Sequence, residues 1–482
     1  MNVAFDPYHS RRPPFAEAAY LFRHALLRDA AYQLQMPADR ARLHGLAFEL
    51  IEGICGGAPG ETAMPEDLRW PAHRPHSTDR FALELAEHAR VAFPADPAHR
   101  KLYLARAALA ARGRFQHATA RTALLELAPL LHEKPRSIAL HLAALSAFDE
   151  GATADSESLF RQSLALFDHL GLRPQVARTR IVLGSLFAQS GRVPEAAAAY
   201  EEALALLAGS GHKRFEADAR TGLGIAKRIL GRVVEAEQEL LRAMALFREL
   251  GERGEEGRAL GNLGGVFRET NRPDDELRAH REALAIFRER GLRTDEGIAL
   301  LNLALVERDA GRPEQAEELL RQSLAIHRER LDRRRVGLVF LNLVGLYHET
   351  GRLAEAADAC RASLEIHRDV GDRRHEGVLL GYLAVLHLDG GRPDLAAPLF
   401  EEALAIDRQA GNRRQEGIHQ CDLARCLVAL GQSARARTPW SAGIAILDGL
   451  GDLREAGDRR AEMRHACAEA GVPFLDGPSV SP

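Results

Sequence analysis

The stretch 256-EGRALGNLGGVFRETNR-272 decides the fold. Its GNLGG centre has the glycine density of a phosphate-cradling loop. Such a loop needs a strand before it and glycines that free the backbone at a helix start. Here the surrounding residues recur instead. Leu263-Gly264 and Phe267 reappear as Leu183-Gly184 and Phe187, and as Leu343 and Tyr347. Gly261 stands where Leu301 and Leu341 stand, and Gly264 where Ala304 and Val344 stand. These glycines are expected inside a helix as packing positions, and no nucleotide site is expected there.

The step of that recurrence is 40 residues. Gly-Arg pairs fall at 191, 231, 311, 351 and 391, with Asn271-Arg272 and Gly431-Gln432 filling the remaining registers and Gly151 opening the series. A second glycine series lies halfway, at 171, 211, 251, 291, 371, 411 and 451, with Leu331 the one substitute. Two turns per step leave two segments of about 16 residues, the length of paired helices. In the second segment small Ala196, Ala236, Ala316, Ala356, Ala396 and Ala436 alternate with larger Tyr200, Leu240, Leu320, Phe400 and Trp440. Small residues let helices approach, and large ones fill the space between them.

This Leu-Gly, aromatic, Ala, aromatic, Ala series resembles the tetratricopeptide repeat, over residues 137–451 and eight repeats. The step is longer than that family's usual 34 or so, and is similar to the long variant found in scaffolds that grip peptide segments. The resemblance implies an all-α fold: a right-handed superhelix, or α-solenoid, with a short N-terminal helical segment. First helices would line its concave side.

Outside the array, residues 1–55 read as an N-terminal helical segment, with two helices over 15–52 turning at Pro37 and Asp39. Its run Phe22–Tyr32, FRHALLRDAAY, resembles the junction between ATPase and repeat domains in STAND-type signalling proteins. No GxxxxGK[ST] motif occurs, so that resemblance implies regulatory ancestry without ATPase activity. Residues 56–80 form a Pro/Gly-rich linker that Trp70 is expected to pin to a neighbouring helix. Residues 81–136 are degenerate helices leading into the array, 452–472 a capping helix, and 473–482 a disordered tail.

The 64 basic and 68 acidic residues nearly cancel, which removes any strong global attraction to nucleic acid or anionic membrane. No apolar run approaches the ~20 residues of a membrane helix. Five scattered cysteines argue against a disulfide framework and suit a reducing, cytoplasmic setting. Cys421 and Cys426 fall on opposite sides of a helix, and the His73–His76 pair lacks a third ligand at suitable spacing. Neither is read as a metal site, and no catalytic residue or cofactor is expected. His327 and His367 share one register and read as packing or surface residues.

The informative rows lie on the first helices. Asn262, Asn302 and Asn342 recur at the 40-residue step. A helix interior gains nothing from asparagine, but a primary amide can donate to a peptide carbonyl and accept from a peptide N–H. The same row could brace neighbouring repeats, and both readings stand at this level. Seven residues on come Glu269, Asp309 and Glu349, continued by Asp389, and just before these run Arg228, Arg268 and Arg308, with His348 following. Amides and carboxylates on a groove floor favour a segment carrying Lys or Arg, while the arginine edge could instead hold acidic residues or simply pair with the acids, so the sign of the partner stays open. A second charge system looks structural: Glu216, Glu256, Glu296, Glu376 and Glu416 at first-helix starts, with Arg253, Arg293, Arg333, Arg373 and Arg413 just before. The expected partner is another protein or a peptide segment, held by a non-catalytic scaffold. The alternative is a peptide-responsive or STAND-derived regulator with the array as sensor. A DNA-binding output would need a basic recognition helix, and the mixed charge of residues 15–52 weighs against one.

Overall fold

The computed structural model describes residues 36–60, 68–70 and 73–475. Among these are 21 α-helices, two short 3₁₀ segments and no strand, so the protein is an all-α solenoid. The repeat pairs run from Glu133–Asp149 with Thr153–His169 to Arg413–Ala429 with Ser433–Gly449, and Leu453–Glu469 closes the series. Almost every helix of the array is 17 residues long, because a turn stops it every 20. The turn residue takes a left-handed backbone, φ 65° at Gly291 for example. Asn271 at φ 54° and Leu331 at φ 55° adopt the same conformation despite their side chains, and Leu331 is 86% exposed. Among the described residues no helix is long and apolar enough to cross a membrane.

The chain forms two compact units, Met1–Ala243 and Met244–Pro482. In the first, helices Pro37–Ile54, Ala82–Ala92, Ala98–Gly113 and His117–Leu127 precede the repeats. Pro37 sits in the first helical turn, where its missing N–H costs nothing. The segment Phe22–Tyr32 lies outside the described residues. The described parts of the linker are packed down: Leu68 and Thr78 are buried, and Arg112 lies 5.7 Å from the Trp70 ring centroid. Arg106 grips Asp79 with two hydrogen bonds of 2.6 and 3.0 Å, both side chains nearly inaccessible. Burial alone would raise the Asp79 carboxyl, but Arg106 and the His76 N–H hold it below the usual carboxylate range.

In the second unit the alanine and glycine registers are tight contacts. A Cβ on Gly264 would lie 2.4 Å from the His280 ring, and one on Gly297 or Gly337 would lie 2.7 Å from His327 or His367. The expectation for Gly261 needs correcting. Nothing lies within 4 Å of a Cβ there, so no neighbour demands a glycine at that position. His327 and His367 are wholly buried, the packing half of the expectation. The tail also departs from expectation at its start. Residues 473–475 close the end of the array, with Phe474 edge-on to Trp440 at 6.1 Å and Leu475 buried. These apolar side chains cover a face that the last helix leaves open.

The start-of-helix acids form a repeated clamp. Glu256 receives Arg248 from the preceding second helix at 2.7 Å and Arg253 from its own helix. Arg288 and Arg293 hold Glu296 at 3.0 and 2.6 Å. Arg368 and Arg373 hold Glu376, and Arg408 and Arg413 hold Glu416. Each clamp ties one repeat to the next, as expected. The arginines at 248, 288, 368 and 408 were missed, although they recur at the same step. Two positions break the series: Glu216 pairs with Arg220 of its own helix, Ala208 standing where the clamping arginine would, and Val336 replaces the acid, with Arg328 over the Phe340 ring instead.

Candidate functional site

Helices Arg333–Glu349, Arg373–Asp389, Arg413–Ala429 and Leu453–Glu469 pack directly on one another in sequence. No two second helices pair as closely among the described residues. Closer approach marks the inner layer of a curved stack, so first helices form the inner side of the second unit. A cleft of about 450 Å³ opens on that side, lined wholly by these four helices. Tyr382, Asp422 and Glu462 line it, and they occupy the register that holds Asn262, Asn302 and Asn342 in the preceding repeats.

The asparagine side chains are half-buried. Asn342 donates to the Leu338 carbonyl of its own helix at 2.8 Å. The amides of Asn262 and Asn302 meet no hydrogen-bonding partner among the described residues. Arg268 is taken up by Glu276 of the second helix at 2.6 Å. Arg308 reaches Asp309 at 3.1 Å and Glu349 at 3.8 Å, and its guanidinium lies 3.6 Å from where a Gly345 Cβ would stand. Glu269, Asp309 and Glu349 are exposed. Arg228 lies in the first unit, in the matching helix Lys213–Ile229, and is half-buried. The structure thus gathers Arg308, Asp309 and Glu349 into one charged group and assigns Arg268 to an ion pair between the two helices of its repeat.

The cleft itself is a charge network one to three steps beyond the last asparagine of the row. Asp422 is 2% exposed and accepts from Arg459 at 2.9 Å. Glu462 accepts from Arg459 at 3.0 Å and Arg425 at 2.9 Å. Arg459 also reaches Glu455 at 2.9 Å. At the rim His348 meets Asp389 at 2.7 Å; the hydrogen bond raises the imidazole and lowers the carboxyl. Burial raises Glu462 despite its arginines, and the Asp422 and Glu455 charges add to that. Burial also raises the Tyr382 phenol, which Arg308 and Glu349 face from the neighbouring repeats. The carboxylates of Asp389, Asp422, Glu455 and Glu462 face the guanidiniums of Arg414, Arg425 and Arg459. Counting the His348 imidazole, which Asp389 draws toward its charged form, four carboxylates face four basic groups, so the cleft is strongly polar and near charge balance. Four different residue types in one register hide such a site from a search for identity at a fixed step. The signal available was that the position, Val182 and Gly222 earlier in the array, is polar at every step from residue 262 onward.

Residues 136–208, 215–289, 295–369 and 335–409 match the family model described as "Tetratricopeptide repeat". No curated protein matches the chain. Among solved structures, the chain is similar to a Signal Transduction ATPase with Numerous Domains protein with a tetratricopeptide repeat sensor from Pyrococcus horikoshii. That likeness covers 89% of this chain and 67% of the other, at 13% identity and TM-score 0.56. The apo form of the quorum sensor NprR from B. thuringiensis is similar over 68% of this chain and 92% of its own, at 12% identity and TM-score 0.52. At such identities the likeness is one of fold.

Proposed function

The chain belongs to the tetratricopeptide repeat family, and on that premise we propose that it is a non-catalytic scaffold holding an extended segment of another protein along its first helices. The observation that carries this reading is the pair of half-buried amides on Asn262 and Asn302. They lack a hydrogen-bonding partner among the described residues and share a register with the cleft residues Tyr382, Asp422 and Glu462. Packed helices lie about 8–10 Å apart, and an extended chain rises ~3.3 Å per residue. Each rung then meets roughly every third residue of a bound segment. Arg308, Asp309 and Glu349 flank that path, and the cleft offers carboxylates and guanidiniums together to a polar side chain at the segment's far end.

The test uses extended peptides selected by display against the full chain. Replacing Asn262, Asn302 and Asn342 together by Ala should weaken the selected peptides by at least about tenfold, since each lost amide contact to a peptide group is worth ~1 kcal/mol. The melting temperature should hardly move. Unchanged affinity with a collapsed melting temperature would make the row an internal brace and end the proposal.

A further inference from the structure

Away from the cleft, the turn between Leu353–Asp369 and Arg373–Asp389 brings three ligating side chains together. His367 lies near the end of the second helix, Asp372 caps the next helix by accepting the His375 N–H at 3.3 Å, and His375 stands in its first turn. The left-handed turn at Gly371, φ 70°, folds the two helix ends back on each other. As a result the two imidazoles stack, with ring centroids 4.8 Å apart and planes 23° from parallel. Both Nδ1 atoms face one carboxylate oxygen: Asp372 Oδ2 is 3.0 Å from that of His375 and 3.7 Å from that of His367. Ligand atoms of all three residues lie within 4.8 Å of one another.

The neighbouring repeats supply an internal comparison. One step earlier the same positions hold His327, Asp332 and Arg335, and the Arg335 guanidinium binds Asp332 directly. One step later they hold Asp407, Asn412 and Gln415. Only at 367–375 is the cation replaced by a second imidazole. His367 is fully buried and neither of its ring nitrogens has a hydrogen-bond partner, as is also true of His327 one step earlier, so the second imidazole of His375 is what sets this turn apart. Arg334 is the cation nearest the carboxylate, at 3.4 Å, and with 69% of its side chain exposed it is free to swing into water.

We propose that His367, Asp372 and His375 bind a divalent transition ion of the zinc class. Zinc takes imidazole nitrogen and carboxylate oxygen at ~2.0–2.2 Å in a tetrahedron, which sets its donors roughly 3.3 Å apart. The Asp372–His375 pair already stands near that spacing, and His367 needs a small shift. Imidazoles with one carboxylate suit Zn, Ni, Cu or Fe better than Mg or Ca. Three protein ligands leave a fourth position for water on the side of His375, whose side chain is 28% exposed. Bound there, the ion would clip the second helix of one repeat to the first helix of the next.

The test titrates Zn²⁺, and Co²⁺ as a visible probe, into the full chain after chelator treatment and dialysis. Expected are a single high-affinity equivalent, a tetrahedral Co²⁺ absorption band and a raised melting temperature. His375→Arg, which copies the preceding repeat, should fold with the melting temperature of the ion-free chain and weaken binding by at least about tenfold. If that variant does not fold, His375→Gln serves in its place. Absence of Zn²⁺ and Co²⁺ binding, or binding that both variants retain in full, would overturn the assignment, since the ion would then sit on other histidines or nowhere.

Discussion

At the residue scale, burial decides what the histidines of the array do. His141 is wholly enclosed, donating to or accepting from Thr179 Oγ1 at 3.1 Å and lying edge-on to Phe160. Burial, with a smaller push from Arg178, lowers it to about 3. His280, packed on Gly264, is lowered to about 4, chiefly by burial. The unfolded chain takes up a proton near pH 6.5, while the folded chain at His141 refuses one until about pH 3. Stability therefore falls with pH through that window, by up to ~1.4 kcal/mol per pH unit and group. We expect His141→Gln to lose about 1 kcal/mol less than the parent between pH 7 and 5.5. Urea midpoints at the two pH values measure this, and equal losses would refute it. The register of His141 holds Ile181, Leu301, Leu341 and Cys421, so its enclosure was legible in the sequence, although the lone histidine drew no attention there.

At the element scale, two ion pairs of like chemistry should behave oppositely. Asp79 and Arg106, with side chains 5% and 7% exposed, are both cut off from water. Asp79→Asn leaves a buried guanidinium uncompensated and should cost about 3–5 kcal/mol. In the repeated clamp only the acid is enclosed: Glu296 is 8% exposed, while Arg288 and Arg293 are 52% and 47% exposed. Removing that acid frees two arginines that water already solvates. Glu296→Val should cost under ~1 kcal/mol, and the chain itself carries Val336 at the equivalent position. Denaturant titration of both variants checks the contrast, and similar costs would contradict it. The start-of-helix acids and turn arginines were legible because two series share a step. Asp79 with Arg106 was not, since the pair joins a non-repeating segment to a degenerate helix.

At the scale of the whole molecule, stability is close to a sum over repeats and their joints. Periodicity made the fold legible for that reason: each step repeats one packing problem, and each solution shows as small or apolar residues in register. The inner face was only partly legible, because its cleft-lining register changes from Asn to Tyr, Asp or Glu while the packed positions beside it stay fixed. The end of the array follows the same logic of joints. Helix Leu453–Glu469 and residues 472–475 cover Trp440 and Leu447 with Met463, Cys467, Phe474 and Leu475. Each large side chain so buried contributes roughly 1.5–3 kcal/mol. A chain ended after residue 451 should associate on a sizing column and unfold at lower urea, whereas one ended after residue 475 should match the full length. A monomeric, equally stable shorter chain would show that the closing helix is dispensable. The joint around residue 331 has a consequence of its own. There Leu331 is forced into a glycine's conformation and Val336 replaces the clamping acid. Under tension, or in the hands of a protease, the second unit should part at this seam before its clamped neighbours, releasing intact blocks of repeats and not a random coil.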